Sequence, residues 1–174
     1  MTTVRNRPLQ LPRKAQALSR PLWLRTQQRL RDKHGFDLDG PDALQRIQTL
    51  VAATPQDAEL HLLLGAAYSV RGAEHEAETE VRRALEIDPR LARARTTLAA
   101  ILVRRGELEE GLREARNGAA LDYGDPNVLY NLGLVEWFAG DRKTAIAAFD
   151  NAAQVLRGDA PVRTPWWRRV FHRG

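Results

Sequence analysis

The stretch "LLGAAYSVRGAEHEAETEVRRALEIDP", residues 63–89, has the pattern of two helices joined at a glycine. On both sides of Gly72 the apolar residues recur every three or four positions, which is the period of an amphipathic helix. Gly65, Ala77 and Ala84 are small residues at the points where two helices folded back on each other must approach closely. Pro89 cannot continue a helix and ends the second one. The stretch therefore predicts a helical hairpin.

The same pattern recurs along the chain at an interval of 34 residues. The interval relates several sets of equivalent residues: Gly72, Gly106 and Gly140; Leu64, Leu98 and Leu132; Gly65, Ala99 and Gly133; Ala43, Ala77, Gly111 and Ala145. A fixed interval of this length is the signature of stacked supersecondary units. It predicts three consecutive hairpins over residues 58–157 and the second helix of a degenerate hairpin at Ala43–Pro55.

These residues resemble the tetratricopeptide repeat (TPR) family. That family has a small residue at the eighth position of each unit, glycine at the fifteenth, alanine at the twentieth and twenty-seventh, and proline at the thirty-second. The resemblance implies an all-α fold, a right-handed α-solenoid of TPR-type helix-turn-helix repeats. The predicted division is a basic N-terminal arm (1–20), a degenerate helix pair or N-terminal cap (21–57), three repeats (58–91, 92–125, 126–157) and a basic, Trp-rich C-terminal tail (158–174).

Two details of this division are predictions of their own. The first helix of the degenerate pair is placed at "RPLWLRTQQRLRDK", residues 20–33, and is separated from the second by the insertion "HGFDLDGP". In repeat 92–125, Gly111 and Gly118 replace alanines inside a helix, which costs about 1 kcal/mol each relative to alanine. We therefore expect that repeat to be the softest.

The net charge of +5 hides an uneven distribution. Residues 1–33 carry nine lysines and arginines against one acid, and residues 157–174 carry five arginines against one acid. The body between them, residues 35–156, carries 13 bases and 20 acids. Because a nucleic-acid protein should carry basic charge on its folded body, nucleic acid is not expected as a partner. The 24 arginines against 3 lysines suggest a GC-rich bacterial genome.

The resemblance also implies a concave groove, lined by the second, fifth, ninth, twelfth and thirteenth positions of each repeat. The groove residues predicted to bind a partner are Leu62, Ala66, Val70, Thr96, Val103, Arg104, Asn127, Tyr130, Leu134, Trp137 and Phe138. Leu62, Leu63 and Ala66 stand where family members that grip a terminal carboxylate have polar and basic residues, so a carboxylate clamp is not expected. An apolar groove suits an amphipathic helix or an apolar extended segment. Two interpretations stay open: an open partner surface, or one covered by the protein's own last helix or tail.

No pattern of catalytic residues is present. Neither serine lies in a nucleophile-elbow motif, the four histidines lack metal-ligand spacing, and no glycine-rich phosphate loop occurs. The absence of cysteine excludes disulfides and thiolate metal sites. The acids of "EHEAETE", residues 74–80, are interpreted as a solvated helix face. We expect no enzyme activity, no cofactor and no metal.

The tail "TPWWRRVFHRG", residues 164–174, combines aromatic and basic side chains. It suits a membrane interface, its own groove or that of a second copy, an end cap on the last repeat and, less well, nucleic acid. The residues predicted to make this contact or anchor are Trp166, Trp167, Arg168, Arg169 and Phe171.

Together these features predict a non-enzymatic interaction scaffold or chaperone-like adaptor. Its partner would be a protein that places an apolar or amphipathic segment in the groove, within a bacterial secretion, pilus or envelope assembly system. The predicted location is the cytoplasm, with association with the inner face of a membrane left open. The alternative is a membrane-peripheral assembly factor anchored through its basic aromatic tail.

Overall fold

The structure, a computed structural model, describes residues 10–159 and consists of α-helices. They are α1 (Arg13–His34), α2 (Ala43–Ala53), α3 (Ala58–Val70), α4 (Glu74–Ile87), α5 (Ala92–Arg104), α6 (Leu108–Leu121), α7 (Pro126–Ala139) and α8 (Arg142–Arg157). The described part of the chain contains no strand. The predicted all-α fold is confirmed.

Helices α3 to α8 form the three predicted hairpins, α3–α4, α5–α6 and α7–α8. Gly72, Gly106 and Gly140 lie at the three turns with φ of 75°, 88° and 90°, a left-handed conformation that favours glycine. A Cβ atom at Gly65 would lie 2.6 Å from Val81 Cγ2 and 3.0 Å from the Ala77 carbonyl oxygen, so α3 and α4 approach closely at this residue. The small residues of the repeat therefore serve helix packing.

Aspartate side chains cap the N-termini of three helices, Asp57 at α3, Asp125 at α7 and Asp141 at α8. The Asp125 carboxylate accepts a hydrogen bond from the Asn127 backbone N–H, with Pro126 in the first turn of α7. Asp141 accepts from the backbone N–H and the hydroxyl of Thr144 at 3.0 and 2.8 Å. These hydrogen bonds lower the pKa of Asp141, the backbone one most. The caps fix where α7 and α8 start.

Helix α1 differs from the prediction in its start. It begins at Arg13, so residues 13–20, which we placed in the basic arm, are helical. A start near Pro21 would have placed this proline in the first turn of the helix, where proline is common. In the structure Pro21 lies inside α1. Pro21 and Ala17, four residues earlier, are both exposed, so the carbonyl that loses its helix hydrogen bond faces water.

Helix α1 also differs in its packing. It does not fold back on α2 as the first helix of a degenerate pair would; it packs on α7 and α8. Its C-terminal half then reaches α3, since Leu30 is buried with Leu64 and Ala67. At 1.5 Å per residue its 22 residues span about 33 Å. This length lets α1 cross the stack from the last repeat to the first.

Candidate partner-binding groove

The first helices of the three repeats, α3, α5 and α7, share one side of the stack. Arg93 of α5 pairs with Glu59 of α3, and Arg104 of α5 donates hydrogen bonds to Ser69 of α3 (2.7 Å) and Glu74 (2.9 Å). The Arg93–Glu59 contact joins equivalent positions of consecutive repeats, and the Arg104 contacts join α5 to the same preceding repeat. They define the side that the sequence predicted to be the concave groove.

Helix α1 lies over the last-repeat end of that groove. Ala15, Leu18 and Leu22 are buried in one cluster with residues of α7 and α8: Leu129, Ala145, Phe149 and Ala152. The predicted groove residues Tyr130, Leu134 and Trp137 are half-buried and pack against the same cluster. This end of the groove is therefore covered by the protein's own first helix, an element that neither interpretation of the sequence had named.

Polar contacts fix the N-terminal end of α1 in this position. Trp137 donates its indole N–H to the Gln10 carbonyl oxygen at 3.3 Å, and Lys14 Nζ lies 2.6 Å from Asp150 Oδ1. The guanidinium of Arg142 lies 5.0 Å from the Trp137 ring centre, a cation–π contact. Burial beneath α1 raises the pKa of Tyr130. The aromatic residues at this end of the groove thus bind a helix in the structure itself.

The C-terminal half of α1 is fixed by the loop that follows it. Gln27, which is 3% exposed, accepts a hydrogen bond from the Leu38 backbone N–H at 2.6 Å and donates one to Asp39 at 2.7 Å. Trp23 packs against the same cluster as the predicted groove residue Ala66. Both ends of the groove therefore contact α1.

The remaining predicted groove residues are not brought together into one surface. Leu62 is buried between α3, α4 and α5, and Thr96 is fully buried, with its Cγ2 2.6 Å from where a Cβ of Gly118 would lie. Val103 packs into the core around α6, and Asn127 takes part in the cap of α7. Val70 (57% exposed) and Arg104 lie at the surface, and Phe138 is half-buried. Leu62 and Thr96 are too deeply buried to meet a partner while the repeats stay packed.

The other predicted features can be placed only in part. Trp166, Trp167, Arg168, Arg169 and Phe171 lie outside the described residues. Within residues 10–159 no helix is long and apolar enough to span a bilayer, and no cluster of His, Asp and Glu side chains is arranged to hold a metal. His61 is buried and bonds to Glu80 at 2.7 Å and to the Pro55 carbonyl at 3.2 Å, a structural role.

The sequence contained one signal for the role of α1. Leu11, Ala15, Leu18 and Leu22 continue an apolar helical period on the N-terminal side of Pro21. The basic charge of residues 1–20 led us to place this segment in an N-terminal arm instead. Nothing in the spacing says which surface such a helix covers.

No protein-family model matches the chain, and no curated protein matches it in sequence. Solved structures do match it. A crystal structure of MamA aligns with a TM-score of 0.53 at 24% identity, over 75% of this chain and 74% of that one. TTC0263, a thermophilic TPR protein of Thermus thermophilus, gives 0.58 at 22%, over 78% and 71%. YrrB, described as a TPR protein with an unusual peptide-binding site, gives 0.51 at 22%, over 66% and 59%. The repeat spacing, the helix order and these structural neighbours show that the chain has the TPR-type fold, an α-solenoid of helical hairpins.

Proposed function

We propose that this chain is a non-enzymatic interaction scaffold whose groove binds an amphipathic helix of a partner protein in competition with α1. One observation carries the proposal: Tyr130, Leu134 and Trp137 already pack against the apolar face of a helix. A surface that accepts one amphipathic helix has the shape and chemistry to accept another. The likeness to YrrB, described as having a peptide-binding site, supports a peptide-like ligand.

Competition requires that α1 can leave without unfolding the repeats. Each repeat helix packs extensively on its partner, whereas α1 rests on α7 and α8 through one stripe of side chains, Ala15, Leu18 and Leu22, and on the cluster of α2 and α3 through Leu30. Its ion pair with α8, Lys14–Asp150, is about half exposed, and exposed pairs contribute roughly 0–1 kcal/mol. A partner helix with a longer apolar stripe would bind the same surface more strongly.

The test uses a synthetic peptide of residues 11–34 as the ligand, labelled with a fluorophore and measured by anisotropy. In the full chain, Leu18→Glu/Leu22→Glu places charges on the buried face of α1 and loosens it from the groove. We expect this variant to bind the peptide at least tenfold more tightly than the wild type, about 1.4 kcal/mol. The matched control is Leu24→Glu, the same substitution on the exposed face of α1, which should leave affinity unchanged.

A second experiment fixes α1 in the groove by a covalent bond. A carbodiimide should join Lys14 to Asp150 as an amide, since their side chains are 2.6 Å apart and accessible. The joined protein should bind less peptide than the wild type. If Leu18→Glu/Leu22→Glu keeps its helicity by circular dichroism yet binds no peptide, the groove is not a helix-binding site. Should that variant unfold, Leu22→Ala replaces it.

We further propose that the natural partner belongs to a bacterial secretion, pilus or envelope assembly system and that the chain acts there as a chaperone-like adaptor. The support is the apolar chemistry of the groove, which suits the apolar segments of exported or assembling subunits. Capture experiments should compare the loosened variant with the joined protein. We expect the loosened variant to retain a partner of this kind and the joined protein to lose it. The peptide of residues 11–34 should displace the partner from the loosened variant.

The second candidate is a membrane-peripheral assembly factor. Its support is the basic aromatic tail together with the outward face of α1, where Arg13, Arg20 and Arg25 have no ion-pair partner among the described residues. Anionic vesicles attract such basic segments. Flotation of the chain with anionic liposomes, with and without residues 158–174, tests it. Absence of flotation for the complete chain removes this candidate.

A further inference from the structure

We propose that the open cavity between α1, α3 and α5 binds a small oxyanion, and that this anion holds α1 in the groove. The cavity has a volume of about 260 Å³. Arg29, Lys33 and His34 of α1 line one wall, and Glu59 of α3 and Arg93 of α5 line the other. The consequence for partner binding rests on the proposed function; the site itself does not.

The charges in the cavity do not balance. Glu59 is paired with Arg93, and Arg93 also lies 3.6 Å from Asp125. The charges of Glu59 and Arg93 are therefore already neutralised by protein groups. Arg29 and Lys33 have no carboxylate partner within residues 10–159. Like charges four residues apart on a helix repel each other. An anion between these two side chains would remove that repulsion.

The two cations have complementary chemistry. A guanidinium can bind two oxygens of a carboxylate or phosphate at once, while an ammonium binds as a compact point charge. His34 lies within the same positive field: burial lowers its pKa most, Lys33 lowers it further, and Asp57 acts in the opposite direction. Three side chains that can donate hydrogen bonds thus line the same cavity.

The size and the floor of the cavity restrict the ligand. Leu30 and Leu60, both buried, and the half-buried Leu63 form an apolar floor. The volume lies just below the range of about 300–1,000 Å³ that holds drug-sized ligands. A small di- or tricarboxylate or inorganic phosphate fits this description, and the two share the chemistry of an oxyanion.

The cavity exists only while α1 is in place. Its cationic wall leaves with α1, whereas α3 and α5 stay in the stack. A ligand that binds only the docked form shifts the equilibrium towards it by the factor 1 + [L]/Kd. At ten times its Kd, the anion should therefore populate docked α1 about tenfold more strongly and oppose a competing partner helix by the same factor.

The test is calorimetric titration of the full chain with citrate and, separately, with phosphate, at an ionic strength held constant with NaCl. Arg29→Gln/Lys33→Gln removes the unpaired cations of the cavity. Arg13→Gln/Arg20→Gln removes the same charge from exposed, unpaired positions at the other end of α1. We expect the cavity variant to bind at least tenfold more weakly than the wild type and the control to bind as the wild type does. The anion that binds the wild type more tightly identifies the ligand class.

Three results would overturn the site: no heat of binding for either anion, equal weakening by the two variants, or an affinity that chloride matches at the same ionic strength. The effect of the bound anion on the docking of α1 is measured by amide hydrogen exchange, which requires no partner protein or peptide. The better anion should slow exchange in residues 13–34 of the wild type and not in the cavity variant. Unchanged exchange at saturation would show that α1 is not held by the anion. A failure of the peptide of residues 11–34 to bind any variant would instead remove the proposed function and leave the anion site standing.

Discussion

Glu136 is an acidic residue inside the first helix of the last repeat, and it is 1% exposed. Arg116 of α6 reaches it with two hydrogen bonds, Nε to Oε1 at 2.8 Å and Nη2 to Oε2 at 3.1 Å. Hydrogen bonding to Glu136 is the main reason that the pKa of Arg116 is raised. This pair links the second repeat to the third through a buried charge, which no feature of the spacing predicts.

Replacing Arg116 with methionine should lower the free energy of unfolding by about 2 to 3 kcal/mol. The buried Glu136 carboxylate would lose both of its charge-assisted hydrogen bonds. The cost lies below that of breaking a fully buried pair, because the Arg116 side chain is 41% exposed. Urea unfolding with an unchanged slope measures the loss.

The matched control is Arg83→Met. Arg83 pairs with Glu86 at 2.9 Å, and both side chains are largely exposed. Its loss should cost less than about 0.5 kcal/mol. Equal effects of the two substitutions would show that the Arg116–Glu136 pair adds nothing beyond a surface pair.

Within the α5–α6 hairpin, the two glycines that led us to expect a soft repeat have a packing role. A Cβ at Gly118 would lie 2.6 Å from Thr96 Cγ2 and 2.9 Å from the Ala92 carbonyl oxygen. A Cβ at Gly111 would lie 2.7 Å from Val103 Cγ2. The helices therefore approach more closely than alanine allows. Whether this repeat is the softest of the three stays a prediction.

Substituting Gly118 with alanine should destabilise the protein by about 1 to 3 kcal/mol, because the added methyl group meets backbone as well as a side chain. Helix propensity alone predicts the opposite sign, a gain of about 1 kcal/mol. Thermal unfolding of the single variant separates the two. A raised melting temperature would show that α5 and α6 can move apart without loss.

The docking of α1 depends on an aromatic residue at the end of α7. Trp137→Ala removes its packing, its hydrogen bond to the Gln10 carbonyl and its contact with Arg142, and should cost about 1 to 2 kcal/mol. Since Trp137 is half-buried, the repeats should stay folded while amide exchange in the first half of α1 becomes faster.

Trp137→Phe serves as the control, because it keeps a ring in place and removes only the N–H donor. Its free energy of unfolding and its amide exchange rate in α1 should lie between those of the wild type and of the alanine variant. Loss of cooperative unfolding in Trp137→Ala would place this residue in the core of the repeats. Unchanged exchange in α1 would show that the contact does not hold the helix.

For the whole molecule, the repeat units were predictable and the placement of the first helix was not. The positions of Gly72, Gly106 and Gly140 fix where each hairpin turns, because local sequence determines local backbone conformation. The position of α1 depends on contacts between residues more than 100 apart, such as Trp137 with Gln10. Leu18 and Leu22 predict a buried helix face and do not specify its partner surface.

Because α1 crosses the stack, it connects the first and the last repeat. An open stack of repeats has no such connection. Repeat stacks are stabilised by contacts between neighbours, so their ends unfold separately with ease. In this chain Lys14 of α1 meets Asp150 of α8, which is 136 residues away. A covalent bond at this contact would close almost the entire described chain into one loop.

The carbodiimide-joined protein should therefore gain about 5 kcal/mol in the free energy of unfolding, from the chain-entropy estimate for a loop of this length. Urea unfolding of the joined and untreated proteins measures the gain, and peptide mass spectrometry verifies the Lys14–Asp150 amide. Asp150→Asn, treated in the same way, cannot form this bond and should unfold as the untreated variant does. If the joined protein unfolds at the same urea concentration as the untreated one, the covalent link between α1 and α8 adds no stability to the stack.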